Sequence, residues 1–155
     1  ACRMAAEEQE FRTLGSSMLP SILPGNVVTL ARVDTACVRL GDVVGYPGPG
    51  GTMVLHRVVQ IRGEGLGTTF VVRGDAQSQS EELPASAVAY RAVRVRIGPV
   101  SYGTDGTVGG IMRQLAMQRG LAWRVATRAA RLAMRLISRA TSRPQRDEPE
   151  GGWMG

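Results

Sequence analysis

The chain contains no lysine: its 19 basic side chains are all arginine, and a single histidine, His56, accompanies them. Arginine stays protonated throughout the working pH range, so no amine base is available and His56 is the only imidazole. Aromatic residues make up 5% of the sequence, and no run of eighteen apolar residues occurs, so no spanning helix is expected. The acidic start, with Glu7, Glu8 and Glu10, is unlike a signal peptide. Two cysteines, Cys2 and Cys37, make no disulfide framework in 155 residues, and with one histidine and no CxxC or HxxxH spacing no metal site is expected.

What is present divides the chain by charge. From Ala1 to Asp105 ten arginines balance ten acids, whereas 106–146 carries nine arginines and no acid. The excess behind the formal charge of +6 therefore belongs to the C-terminal third, where it suits an anionic partner or a solvated helix face.

Residues 1–13 read as a polar or helical lead-in. Branched and alternating runs at 27–32, 43–46, 53–61, 68–72 and 88–97 read as strands, punctuated by the Pro47–Gly51 loop, the glycines at 63, 65 and 67, and a polar loop over 76–82. The expected fold is therefore mainly β, a compact antiparallel β domain over 14–100. A Gly-rich linker follows at 101–110. Apolar spacing then changes to about 3.6, which predicts an Arg-rich amphipathic helix over 111–141, weakened at Gly120, before a disordered tail at 142–155.

The stretch with chemical content is Gly15 to Val28, G-S-S-M-L-P-S-I-L-P-G-N-V-V. Glycine permits close backbone approach, Pro20 and Pro24 fix φ, and Ser17 is held between them on a turn entering a strand. Serines in such turns commonly do no more than satisfy local backbone groups. Two further segments bear on the choice: Leu55-His56-Arg57-Val58-Val59, and Val72-Arg73-Gly74-Asp75, which ends the strand expected to pair with that of His56.

The S-M-x-P box with its P-G step, the H-R-V box and the R-G-D box, in that order and 39 and 19 residues apart, resemble the boxes of signal peptidases in their Ser-His branch. The resemblance covers roughly residues 15–95 and implies a β catalytic domain of that type, acting as a serine endopeptidase on an extended peptide or preprotein segment, with no cofactor. It implies Ser17 as nucleophile, His56 as general base and Asp75 as the carboxylate that orients the imidazole; the lysine base of other relatives is excluded here. Gly15 stands where many relatives carry an oxyanion-hole serine, so backbone N–H groups near Gly15, Ser16 and Met18, or the Ser16 hydroxyl, would bind the oxyanion. Glu81 is the nearest equivalent of a second acid after G-D, and Asn26 replaces the usual aspartate after P-G.

The helix is not accounted for by that resemblance. At about 100° per residue, Arg124, Arg128, Arg131, Arg135 and Arg139 share one arc, with Leu121, Val125, Leu132, Leu136 and Ile137 on the remainder. Two arrangements fit: the apolar arc lies on an anionic membrane through 121–140, or it packs on the β domain with its arginines in solvent. Nucleic acid ranks behind both, because interleaved aromatics are missing. Compartment stays open between the cytoplasm and the inner membrane face. The rival from a different class is a catalytically silent β scaffold whose helix binds membrane or nucleic acid.

Overall fold

The computed structural model of the chain describes residues 4–141; the expected tail at 142–155 lies outside them. Eight strands form one antiparallel sheet: β1 (Met4–Arg12), β2 (Val27–Val33), β3 (Val43–Pro47), β4 (Met53–Arg62), β5 (Thr69–Arg73), β6 (Glu81–Pro84), β7 (Tyr90–Ile97) and β8 (Val100–Gly103). The strand order is β1-β2-β7-β3-β4-β5-β6, with β8 pairing β7 beside this path. Two helices, α1 (Thr107–Gln118) and α2 (Leu121–Thr141), complete the fold. The mainly β class expected from the alternating runs is the one observed.

Side-chain alternation gives the sheet two cores. Val44, Tyr46 and Val58 join Phe70, Val72 and Leu83 in one cluster, while Val43 joins Met18, Ile22, Val28, Leu30 and Val95 in the other. Neighbouring Val43 and Val44 thus serve opposite faces, as the period of two requires. The consequence for β4 is that His56 and Arg57 point to different sides.

Three segments differ from expectation. The lead-in is an edge strand, β1, because Glu8 to Arg12 pair with Val27 to Ala31 of a buried strand; charged residues suit an edge, where one row of backbone groups faces water. The linker is replaced by β8, whose Val100 to Gly103 pair with Arg94 to Ile97, and by the first turn of α1. The single helix is two, because Arg119 adopts a left-handed conformation (φ 46°) immediately before Gly120 and ends α1. Cys37 is disulfide-bonded. Arg113 of α1 meets Asp42 at 3.2 Å, tying the helix to the loop before β3.

Candidate active site

Ser17 lies in the turn between β1 and β2. Its carbonyl accepts a hydrogen bond of 2.8 Å from the Ala76 N–H, which joins the serine turn to the Gly74–Asp75–Ala76 turn after β5. Gly74 is required for this approach: a Cβ there would stand 2.7 Å from the Ser17 carbonyl oxygen. The Ser17 hydroxyl makes no hydrogen bond among the described residues, and the N–H groups of Ser16, Ser17 and Met18 donate none either. Gly15 and Ser16 are exposed, while the Met18 side chain is buried in the second core and so packs rather than lining a cleft.

His56 is placed by the β3–β4 hairpin. Pairing sets Val44 opposite His56 and Tyr46 opposite Val54, so Tyr46 and His56 are diagonal neighbours on one face. The phenol oxygen lies 2.8 Å from imidazole Nδ1 and donates its proton to Glu81 Oε2, also at 2.8 Å. A phenol has one proton to give. With that proton directed at Glu81, the bond to the ring requires Nδ1 to carry a hydrogen and donate, which leaves Nε2 as the unprotonated nitrogen of the neutral ring. Burial raises the Tyr46 phenol well above its ordinary pKa, and the hydrogen bond and charge of Glu81 add to this, so the phenol keeps its proton. Burial likewise lowers the His56 pKa below its ordinary 6.5, against smaller opposing contributions from the Glu81 and Asp75 charges. At neutral pH the imidazole is therefore a neutral base.

Asp75 is engaged elsewhere. Its carboxylate accepts from Arg57 Nε (2.8 Å) and Nη2 (2.7 Å), a bidentate pair with both side chains buried, and from the Ser21 hydroxyl. Arg57 Nη1 also donates to the Gly41 carbonyl at 2.8 Å. Asp75 acts on His56 only through its charge; the group hydrogen-bonded to the imidazole is Tyr46, and the orienting carboxylate behind it is Glu81. The orienting role expected of Asp75 thus fails on direction: two residues past Arg73, the last residue of β5 that pairs with β4, its side chain turns to the Arg57 side of that strand.

Between the 75–81 loop and the helices lies a cleft of about 910 Å³. His56, Asp75 and Ala76 to Glu81 line one side; Arg119, Trp123, Arg124, Thr127, Arg128 and Arg131 line the other. Ser17 is not among its lining residues, but is one hydrogen bond behind Ala76. Helix α2 is docked by polar groups: Trp123 Nε1 donates to the Asp75 carbonyl (3.3 Å) and Arg131 to that of Ala76 (2.6 Å), while Arg119, at the junction with α1, donates to the carbonyls of Asp75 and Gln77.

Tyr46 was missed in the sequence because no motif marks it; the signal lay in the hairpin register, since Pro47 pairing with Met53 sets Tyr46 diagonal to His56. Among the described residues no group of three or more His, Cys, Asp or Glu is arranged to hold a metal ion, and no helix is long and apolar enough to cross a membrane. Set against known proteins, the chain matches no family model, no curated protein and no solved structure, so what this site does is argued from its own geometry.

Proposed function

We propose that the chain is a serine endopeptidase of the kind its three boxes resemble, with Ser17 as nucleophile and His56 as base. The observation that carries this reading is the Glu81–Tyr46–His56 chain, which fixes the sole imidazole with its hydrogen on Nδ1 and Nε2 free beside a large cleft, while burial keeps the ring neutral. In the reaction Nε2 takes the Ser17 proton as Oγ bonds to the scissile carbonyl carbon, and returns it to the leaving amine as the C–N bond breaks. Water then releases the acyl group by the same proton route. The unspent N–H groups around Ser17 are candidate donors to the oxyanion. The outer edge of β6, the strand that begins at Glu81 and is last in the sheet order, suits an extended peptide. No hydrogen bond joins Ser17 to His56 among the described residues, and the reading requires the two to meet when substrate binds, as catalytic hydrogen bonds often form fully only then.

The test is labelling by a serine-directed fluorophosphonate, with the modified residue located by mass spectrometry. Label on Ser17, lost in both Ser17→Ala and His56→Ala, is expected. Ser78 and Ser80 line the same cleft, so label that persists in Ser17→Ala and disappears in a Ser78→Ala/Ser80→Ala variant would overturn the nucleophile assignment.

A second reading is favoured by the outward face of α2. Its docked stripe is Trp123 and Thr127, flanked by half-buried Ala126, Ala130 and Met134. The other apolar arc, Leu121, Val125, Leu132 and Leu136, is 57% to 76% exposed. That is the reverse of packing on the β domain with only arginines in water. We infer that this face rests on an anionic membrane, where each nearby arginine contributes about 1 kcal/mol and the leucines enter the headgroup boundary. Sedimentation with anionic vesicles at low salt, lost in Leu132→Glu/Leu136→Glu, is expected; equal recovery of both proteins in the supernatant would contradict it. Vesicle binding by a protein that takes no fluorophosphonate label would make the chain a binding module rather than an enzyme.

A further inference from the structure

The wall that α2 contributes to the cleft is cationic beyond what the fold uses. Of the four arginines on that side of the cleft, Arg119, which ends α1, and Arg131 of α2 spend their guanidinium groups on the carbonyls of residues 75–77. Arg124 and Arg128 of α2, between them in the chain, are exposed and their side chains have no hydrogen bond or ion pair among the described residues. They stand four residues apart on one face, where like charges repel.

The opposite wall offsets this charge only in part. Its two acids are Asp75, matched by Arg57, and Glu81, which accepts from the neutral Tyr46 phenol and so sets a single carboxylate charge against four arginines. Crowding of positive charge is also felt nearby: Arg73 is lowered from its ordinary pKa chiefly by burial and then by the Arg119 charge. The floor, Gln77 to Ser80, offers amides and hydroxyls rather than apolar surface. At about 910 Å³ the cleft lies at the upper end of the roughly 300–1,000 Å³ typical of ligand sites, which gives room for several residues of an extended chain.

We propose that this cleft selects an acidic peptide segment, with Asp or Glu carboxylates of the ligand seated on Arg124 and Arg128 while its backbone follows the 77–81 loop. Guanidinium and carboxylate meet in the bidentate geometry that arginine favours, and the bound carboxylates relieve the repulsion between the two arginines. Naming this peptide as the substrate rests on the peptidase reading; its binding does not. The segment would occupy the same cleft as His56, so Arg124 and Arg128 act as specificity-determining residues.

The experiment measures the anisotropy of two rhodamine-labelled octapeptides, one carrying an Asp-Glu pair and its twin carrying Asn-Gln, against the full chain as Ser17→Ala so that neither is consumed. Binding of the acidic peptide at least about tenfold tighter than its twin is expected, with the preference lost in Arg124→Gln/Arg128→Gln and kept in Arg135→Gln/Arg139→Gln, whose arginines do not line the cleft. The preference should weaken steeply with salt, as exposed charge contacts do. Equal affinity for the twins overturns the proposal, as does a preference that survives Arg124→Gln/Arg128→Gln or is lost equally in Arg135→Gln/Arg139→Gln. Displacement of the peptide by equimolar inorganic phosphate overturns it too, because the site would then be a general anion site. An arginine-dependent preference in a protein whose parent form neither labels nor cleaves supports this proposal and overturns the peptidase reading alone.

Discussion

The two faces of β4 set neighbouring residues against two different carboxylates. Arg57, buried, meets Asp75 in a bidentate ion pair completed by Ser21 and Gly41, so every strong donor and acceptor is engaged and the pair joins the serine turn, the strand and the 74–76 turn. His56, half-buried, meets Glu81 only through Tyr46, and one ring nitrogen is left open at a cleft. A saturated pair acts as a clamp, whereas a chain that ends on an unused acceptor has capacity left for a proton. The carboxylate nearest in the motif is therefore the structural one, and the more distant Glu81 serves the imidazole.

The sharpest way to separate the faces is by activity. Ser17→Ala and His56→Ala should each lose turnover on the order of a millionfold on a cleavable peptide, with the double variant little worse, because the two act as one unit. Retention of most of the parent rate in His56→Ala would remove the imidazole from the chemistry. Tyr46→Phe breaks the chain at its middle and frees the ring to flip or change tautomer; a loss of up to about ten-thousandfold in kcat is expected, by analogy with a triad left in the wrong tautomer. A kcat unchanged by Tyr46→Phe would show that the phenol does not position the base.

On the other face the readout is stability. Asp75→Ala leaves the Arg57 charge buried without its partner, which should cost about 3–5 kcal/mol in denaturant unfolding. Glu81→Ala, at an exposed residue, should cost far less. The comparison fails if the two costs are equal.

The smallest effect is a displacement along the pH axis. The folded-state pKa of His56 is lowered, so the neutral base prevails above it, and activity should rise with pH through a midpoint below the ordinary 6.5. The same sign applies to stability: folding disfavours the protonated ring, so the contribution is full above pH 6.5 and is lost as pH falls through the lower folded value. Glu81 opposes this lowering. Glu81→Gln, which keeps an acceptor for Tyr46 but removes the charge, should move the acid limb of the pH profile to still lower pH; a shift upward would contradict the electrostatics.

How much of this was legible in the sequence depended on whether the signal was local. Alternation in Val43 to Tyr46 and Met53 to Ile61 marked both strands, and Gly120 marked the break that Arg119 completes. The lead-in was misread because Glu8 to Arg12 form a strand through pairing with β2, which no local propensity shows. Ser17, His56 and Asp75 were found as motif residues, but the sequence does not say which way a side chain turns after a strand ends, and Asp75 turns toward Arg57. Tyr46 required register, a relation between two strands. The orientation of α2 required the position of Trp123 against the Asp75 carbonyl and the burial of Thr127, since its wheel alone left open whether the apolar arc packs on the β domain or faces away from it.

The central claim, that the Glu81–Tyr46 chain fixes the tautomer of His56 with Nε2 free while burial keeps the ring neutral, is tested most directly by imidazole nitrogen NMR, because one histidine means one residue to assign. The account predicts a ring protonated on Nδ1 and bare on Nε2 at pH 7, titrating below 6.5, with the tautomer preference lost in Tyr46→Phe. A proton on Nε2 with Nδ1 bare, or a midpoint above 6.5, would contradict it.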